Sequence, residues 1–167
     1  MARKTERMEK PMFQKILFCT DFSENAHWAF TYALNLAKTY RGTLFILHVK
    51  SDPALARADM LGAYVSQETL LQIEAAEDEE AKRQITTQYL QRMEGFDAYK
   101  VLSRKGVAFY EIIKTAKEES ADLIVMGTHG RTGLDHILFG STAEKVVRKS
   151  PCPVLTIRLP GKRFEMP

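Results

Sequence analysis

Short apolar runs alternate along this chain with longer segments of helical spacing, and that alternation limits the possible folds more than any other feature. Residues 16–20 form a compact apolar run bounded by the turn-prone Asp21-Phe22-Ser23, and residues 43–49 (TLFILHV) form a second. Residues 99–103 read as a weaker strand, residues 122–126 (DLIVM) as a clear one, and residues 154–157 close the series. Between the first two runs, Ala26, Ala29, Phe30, Ala33, Ala37 and Tyr40 keep helical spacing. Ser23 is placed as the N-cap, and Gly42 as the C′ glycine that stops the helix. A long polar helix is predicted over residues 66–94, with Ala81, Ile85, Tyr89 and Met93 as a narrow packing stripe. Phe109, Ile112, Ile113 and Ala116 mark another helix; Ala143, Val146 and Val147 mark a shorter one that Pro151 ends. Strands that alternate with helices in this way predict an α/β fold, a parallel sheet covered on both faces and joined by right-handed crossovers.

At 167 residues, with no shift of composition and no internal repeat, one domain with one core is expected. The formal net charge of +3 is evenly mixed apart from basic ends, so nucleic acid is not an expected partner. No apolar run approaches the roughly 18 residues needed to span a bilayer. The opening MARKTERMEK lacks the apolar core of a secretory signal, and the two cysteines, Cys19 and Cys152, form no disulfide framework. A reduced, cytoplasmic setting is therefore the expectation. The acidic run Glu77-Asp78-Glu79-Glu80 reads as a solvated helix face. Residues 50–65 carry no clear period, and a connection that long points to a functional or mobile loop.

The stretch that carries chemistry is MGTHGRTGLDHILFGSTAEKVV, residues 126–147. It begins where a buried strand ends, which is where open α/β sheets hold their ligands. Gly127, Gly130, Gly133 and Gly140 permit positive φ and a close approach of backbone to ligand, so that successive N–H groups can form an anion-binding nest. Gly140-Ser141-Thr142 opens the last helix, whose unpaired N–H groups and dipole suit a phosphate. The same residues also read as an ordinary capping box of Ser141 with Glu144, and capping and phosphate contact can coexist.

Gly127-x-x-Gly130, nine residues, then Gly140-Ser141 resembles the G-2x-G-9x-G-(S/T) signature of the ATP-binding branch of the universal stress protein family. ILFCTDFSENAHWAF near the start and SPCPVLTIR near the end resemble the same family, over about residues 13–158, with tails at 1–12 and 159–167. The resemblance implies a five-stranded parallel sheet in the order 3-2-1-4-5, with Asp21 and Gly127 flanking the switch point. It also implies an adenine-nucleotide site. Asp21, with Cys19 and Thr20, would border the adenosine end, and Val49 would meet the adenine. Met126 and Gly127 would border the ribose and first phosphate, while Gly130 and Arg131, with His129 and Gly133 in the same loop, would line the phosphate chain. Gly140, Ser141 and Thr142 would hold the distal phosphates. Cys19 departs slightly from the family, in which proline or alanine often precedes the Thr-Asp pair. The ligand implied is ATP, with ADP and AMP open as alternatives and Mg2+ open as a companion ion. The function implied is a homodimeric, nucleotide-dependent switch in the stress response. The dimer would pair the apolar edge strand, residues 154–157, with its copy, beginning after Pro153 and centred on Leu155.

Other residues invite less. His129 and His136 lack the Cys, Asp or Glu pattern of a metal site, His48 and Trp28 read as packing residues, and Cys152 between two prolines reads as structural. There is no G-x-x-x-x-G-K-[ST] and no evident general base, so a slow ATPase or nucleotidyl-transfer enzyme is the alternative to a binding protein. A phosphoacceptor receiver domain is disfavoured because the third strand ends in Ser103-Arg104-Lys105.

Overall fold

In the computed structural model, residues 13–51, 66–129 and 140–161 are described. In chain order the elements are β1 (Lys15–Thr20), α1 (Glu24–Tyr40), β2 (Thr43–Lys50), α2 (Gln67–Gln88), β3 (Tyr99–Lys105), α3 (Ala108–Glu118), β4 (Leu123–Gly127), α4 (Ser141–Lys149) and β5 (Val154–Ile157). The strands form one parallel sheet in the order β3-β2-β1-β4-β5, as the family pattern implied.

Side-chain alternation along the strands divides the core in two. Ile16 and Phe18, Leu44 and Ile46, Leu123 and Val125 face one side, where α1 and the end of α2 cover them with Ala29, Phe30, Ala33, Ile85 and Tyr89. Leu17 and Cys19, Phe45 and Leu47, Ile124 and Met126 face the other, under Ile112 and Ala116 of α3 and Ala143 and Val146 of α4. Burial on both faces is why these strands read as unbroken apolar runs. Each fully buried Ile, Leu or Phe contributes about 1.5–3 kcal/mol over the exposed state.

Three expectations need correction. Gly42 does not supply the left-handed residue that ends α1. Arg41 takes that conformation (φ 51), and the Gly42 N–H closes the turn on Ala37 O at 2.9 Å. Glycine is needed at 42 for space, because a Cβ there would lie 2.7 Å from the backbone oxygens of Phe13 and Gln14. The helix predicted to reach residue 94 ends at Gln88. The chain then tightens into a 3-10 turn, Leu90–Arg92, while Tyr89, Met93 and Phe96 all turn into the core.

The third correction concerns the sheet edge. β5 is an edge strand, but Leu155 is not at the centre of its outward ladder. Pro153 O accepts from Ile124 N and Ile157 O accepts from Thr128 N, both at 3.0 Å. Because backbone polar groups alternate sides along a strand, Leu155 also faces β4. Val154 and Thr156 present their N–H and C=O groups outward.

Candidate functional site

The strand order reverses between β1 and β4, so the connections leaving their carboxyl ends diverge and open a crevice. Its first wall is the turn from β1 into α1. Thr20 Oγ1 accepts from Phe22 N at 2.9 Å, Asp21 Oδ1 accepts from Ser23 N at 3.1 Å, and Ser23 Oγ caps α1 by accepting from Ala26 N at 3.2 Å. Short polar side chains thus take up the backbone donors that a sharp turn leaves unpaired. Phe22 adopts φ 63, a conformation that side chains other than glycine rarely take.

The opposite wall begins where β4 ends. Thr128 N donates to Ile157 O, and Gly140 N donates to Thr128 O at 2.8 Å, so the start of α4 is tied back against the end of β4. Gly140 is the N-cap of α4 and makes no side-chain cap; its φ of −64 is open to any residue. The capping box of Ser141 with Glu144 is not formed. Ser141 is already the first residue of the helix, and Glu144 pairs with Arg148 at 3.1 Å. A helix start without a side-chain cap presents its N–H groups and its positive dipole end to whatever lies before it.

Between these walls lies a recess of about 110 Å³. Of the residues predicted from the sequence, it brings together Cys19, Thr20, Asp21, Val49, Met126, Gly127, His129, Gly140 and Thr142. Ser141 lines a wider adjoining cavity of about 570 Å³, shared with Asp21, Val49, Gly140 and Thr142 and bounded by His48 and Lys50. Gly130, Arg131 and Gly133 lie outside the described residues, as does the connection 52–65. His48, read as a core residue, is half-buried at the crevice side of β2, with its Nδ1 at 2.9 Å from Thr20 O.

Gly127, besides lining the recess, has a packing role that was not expected. A Cβ at 127 would come 2.8 Å from Asn25 Cβ, so what approaches this glycine is the first turn of α1. The recess also takes in residues that the sequence did not single out: Leu47, Ala108, Ile112, Thr128 and Ala143. Thr128, inside the glycine-rich stretch and 6% exposed, carried a local signal. Ile112 had none, since it belongs to a helix stripe that reads as packing, and Ala108 lies outside that stripe with no signal of its own.

Leu47, Val49, Ile112 and Met126 offer an apolar surface, while Asp21 offers an acceptor and the start of α4 a set of donors. Burial, and after it the nearby Cys152, pushes the Cys19 thiol far above its ordinary value, so it stays protonated at neutral pH. Among the described residues, no group of three or more His, Cys, Asp or Glu side chains is placed to hold a metal ion. None of the described helices is long and apolar enough to cross a membrane.

Comparison with known proteins gives a consistent picture. A model of the universal stress protein family matches residues 12–158. Universal stress protein MJ0577 of Methanocaldococcus jannaschii is 31% identical over 156 residues, covering 88% of this chain and 96% of that protein. The solved structure of MJ0577 superposes with a TM-score of 0.77, covering 90% of this chain and 99% of the other. Universal stress protein UspA from Lactobacillus plantarum superposes at 0.67 with 31% identity, covering 87% and 98%. Two more distant structures share the fold. A universal stress protein in complex with cAMP is 22% identical, with a TM-score of 0.55 and coverage of 87% and 97%. One from Archaeoglobus fulgidus in complex with dAMP is 21% identical, with a TM-score of 0.58 and coverage of 87% and 98%.

Proposed function

The chain belongs to the universal stress protein family, and from that premise we propose that it binds an adenine nucleotide, ATP foremost, in the crevice between β1 and β4. The observation that carries this reading is the start of α4, Gly140 to Thr142, which no described side chain caps. Its Gly140 and Thr142 line the same recess as Asp21 and Val49. A base and ribose suit the apolar side under Val49 and Met126, with Asp21 as an acceptor for hydroxyl or amine donors. Phosphates suit the helix start, where N–H groups and the dipole act together. Gly130 and Arg131 complete the phosphate side of the proposal, with Mg2+ as the companion ion of the triphosphate. Relatives of the same fold solved with cAMP and dAMP support an adenine nucleotide as the ligand class.

In this reading the protein is a binding switch of the stress response and works as a homodimer. The outward backbone groups of Val154 and Thr156 pair with the same strand of a second copy about a two-fold axis, which closes both edges. Isothermal titration with ATP, adenosine and inorganic tripolyphosphate tests the site. ATP is expected to bind more tightly than either fragment, because it alone spans both walls. An ATP affinity no better than that of tripolyphosphate would remove the adenosine half of the proposal.

A further inference from the structure

We propose that Tyr89, the residue that follows α2, is a positioning residue for the adenosine side of this crevice, acting through Thr20 on the turn that carries Asp21. The proposal rests on the nucleotide reading above.

The ring of Tyr89 is fully buried, with its centroid 4.7 Å from that of Phe30 and 5.3 Å from that of Phe18. Packing of that kind asks only for a ring, and phenylalanine would supply it. The hydroxyl is the part that packing does not explain. A buried phenol requires a hydrogen-bond partner, and this one lies 2.5 Å from Thr20 Oγ1. That same oxygen accepts the Phe22 N–H, the bond that folds the chain back after β1. Tyr89 does not line the recess, so any effect on a ligand must pass through Thr20.

The turn needs such support. Phe22 holds φ 63, which costs conformational free energy and persists only where the surroundings impose it. Its ring sits between those of His48 and Tyr89, at centroid distances of 4.5 and 6.3 Å. His48 Nδ1 also bonds Thr20 O at 2.9 Å. Thr20 is thereby held at its carbonyl by β2 and at its hydroxyl by the residue after α2, and Asp21, which lines the recess, follows it directly. Burial pushes the Tyr89 phenol well above its ordinary value, so it remains a neutral hydroxyl able to donate or accept.

The test is Tyr89→Phe, read in two ways. Titration should show ATP binding about fivefold to tenfold weaker, the scale of one buried hydrogen bond, with tripolyphosphate binding unchanged. Hydrogen exchange in the nucleotide-free protein should show the Phe22 amide exchanging faster. Thr20→Val should cost at least as much, because it removes the acceptor for the Phe22 N–H as well as the partner of Tyr89, and adding Tyr89→Phe to it should weaken ATP no further. Thr20→Ser should retain wild-type affinity. If Tyr89→Phe does not fold, Thr20→Val set against Thr20→Ser tests the hydroxyl through which Tyr89 acts, and wild-type ATP affinity in Thr20→Val overturns the proposal. Wild-type ATP affinity together with unchanged Phe22 exchange in Tyr89→Phe overturns the proposal. If the wild-type protein binds no adenine nucleotide, the site reading fails. Phe22 exchange then decides by itself whether Tyr89 holds the turn.

Discussion

Gly127, the last residue of β4, lies against the first turn of α1 so closely that a Cβ on it would be 2.8 Å from Asn25 Cβ and 3.0 Å from the Asn25 carbonyl carbon. A methyl group cannot be accommodated there without shifting the helix or the strand. Gly127→Ala is therefore expected to destabilise the fold by about 1–3 kcal/mol, the usual cost of overpacking. A lowered urea midpoint with an unchanged slope is the expected reading; an unchanged midpoint would show that the helix gives way freely.

Gly130 is expected to behave differently, since its proposed role is to let phosphate approach the backbone. Gly130→Val should abolish ATP binding in titration while the urea midpoint stays near that of the parent. Retained affinity would take residue 130 out of the phosphate side.

Asp21 has a structural duty besides its proposed contact with adenosine, because its Oδ1 accepts the Ser23 N–H at 3.1 Å. Asp21→Asn keeps that acceptor and removes only the charge. Asp21→Ala is expected to weaken ATP more than tripolyphosphate. Asp21→Asn is expected to leave stability within about 0.5 kcal/mol, as for changes that spare a named interaction. Equal losses for both ligands in Asp21→Ala would move this residue out of the adenosine end.

The outward groups of β5 separate dimerisation from folding. Thr156→Pro removes a donor that faces away from β4, so it should leave the sheet intact and yield monomers in sedimentation. Leu155→Pro removes a donor facing β4 and should lower stability as well. A Thr156→Pro protein that still sediments as a dimer would place the interface elsewhere.

Cys19 and Tyr89 predict a fall in stability at alkaline pH. Burial raises both above their ordinary values of 9.0 and 10.0, so in the folded state they keep protons that the unfolded chain has lost. Stability then falls as pH rises, because the unfolded state binds fewer protons. From these groups the midpoint of thermal unfolding should be flat up to about pH 9 and decline above it. Cys19→Ala should make that decline shallower, with the raised Cys152 thiol and Tyr89 supplying the rest, and an equally steep decline in both proteins would exclude the Cys19 thiol as a source.

The sequence by itself determined the sheet, its helical covering and most of one crevice wall. Strands such as Leu123–Gly127 are buried on both faces, so their apolar runs are continuous and their position is a local property of the chain. The motif residues at the β1 and β4 ends were legible through the spacing of Gly127, Gly130 and Gly140 and its resemblance to the family signature. What only the tertiary structure decided depends on contacts between distant segments. Tyr89 reads in sequence as one member of a packing stripe, and its hydroxyl has no meaning until Thr20, 69 residues away, is brought to 2.5 Å. The space that Gly127 requires belongs to Asn25 in another element, and the face of β5 that carries Leu155 was settled by its register with β4. Periodicity records which side of an element is apolar. Which partner that side meets, and which polar atom lands beside it, follows from how the strands are ordered in space.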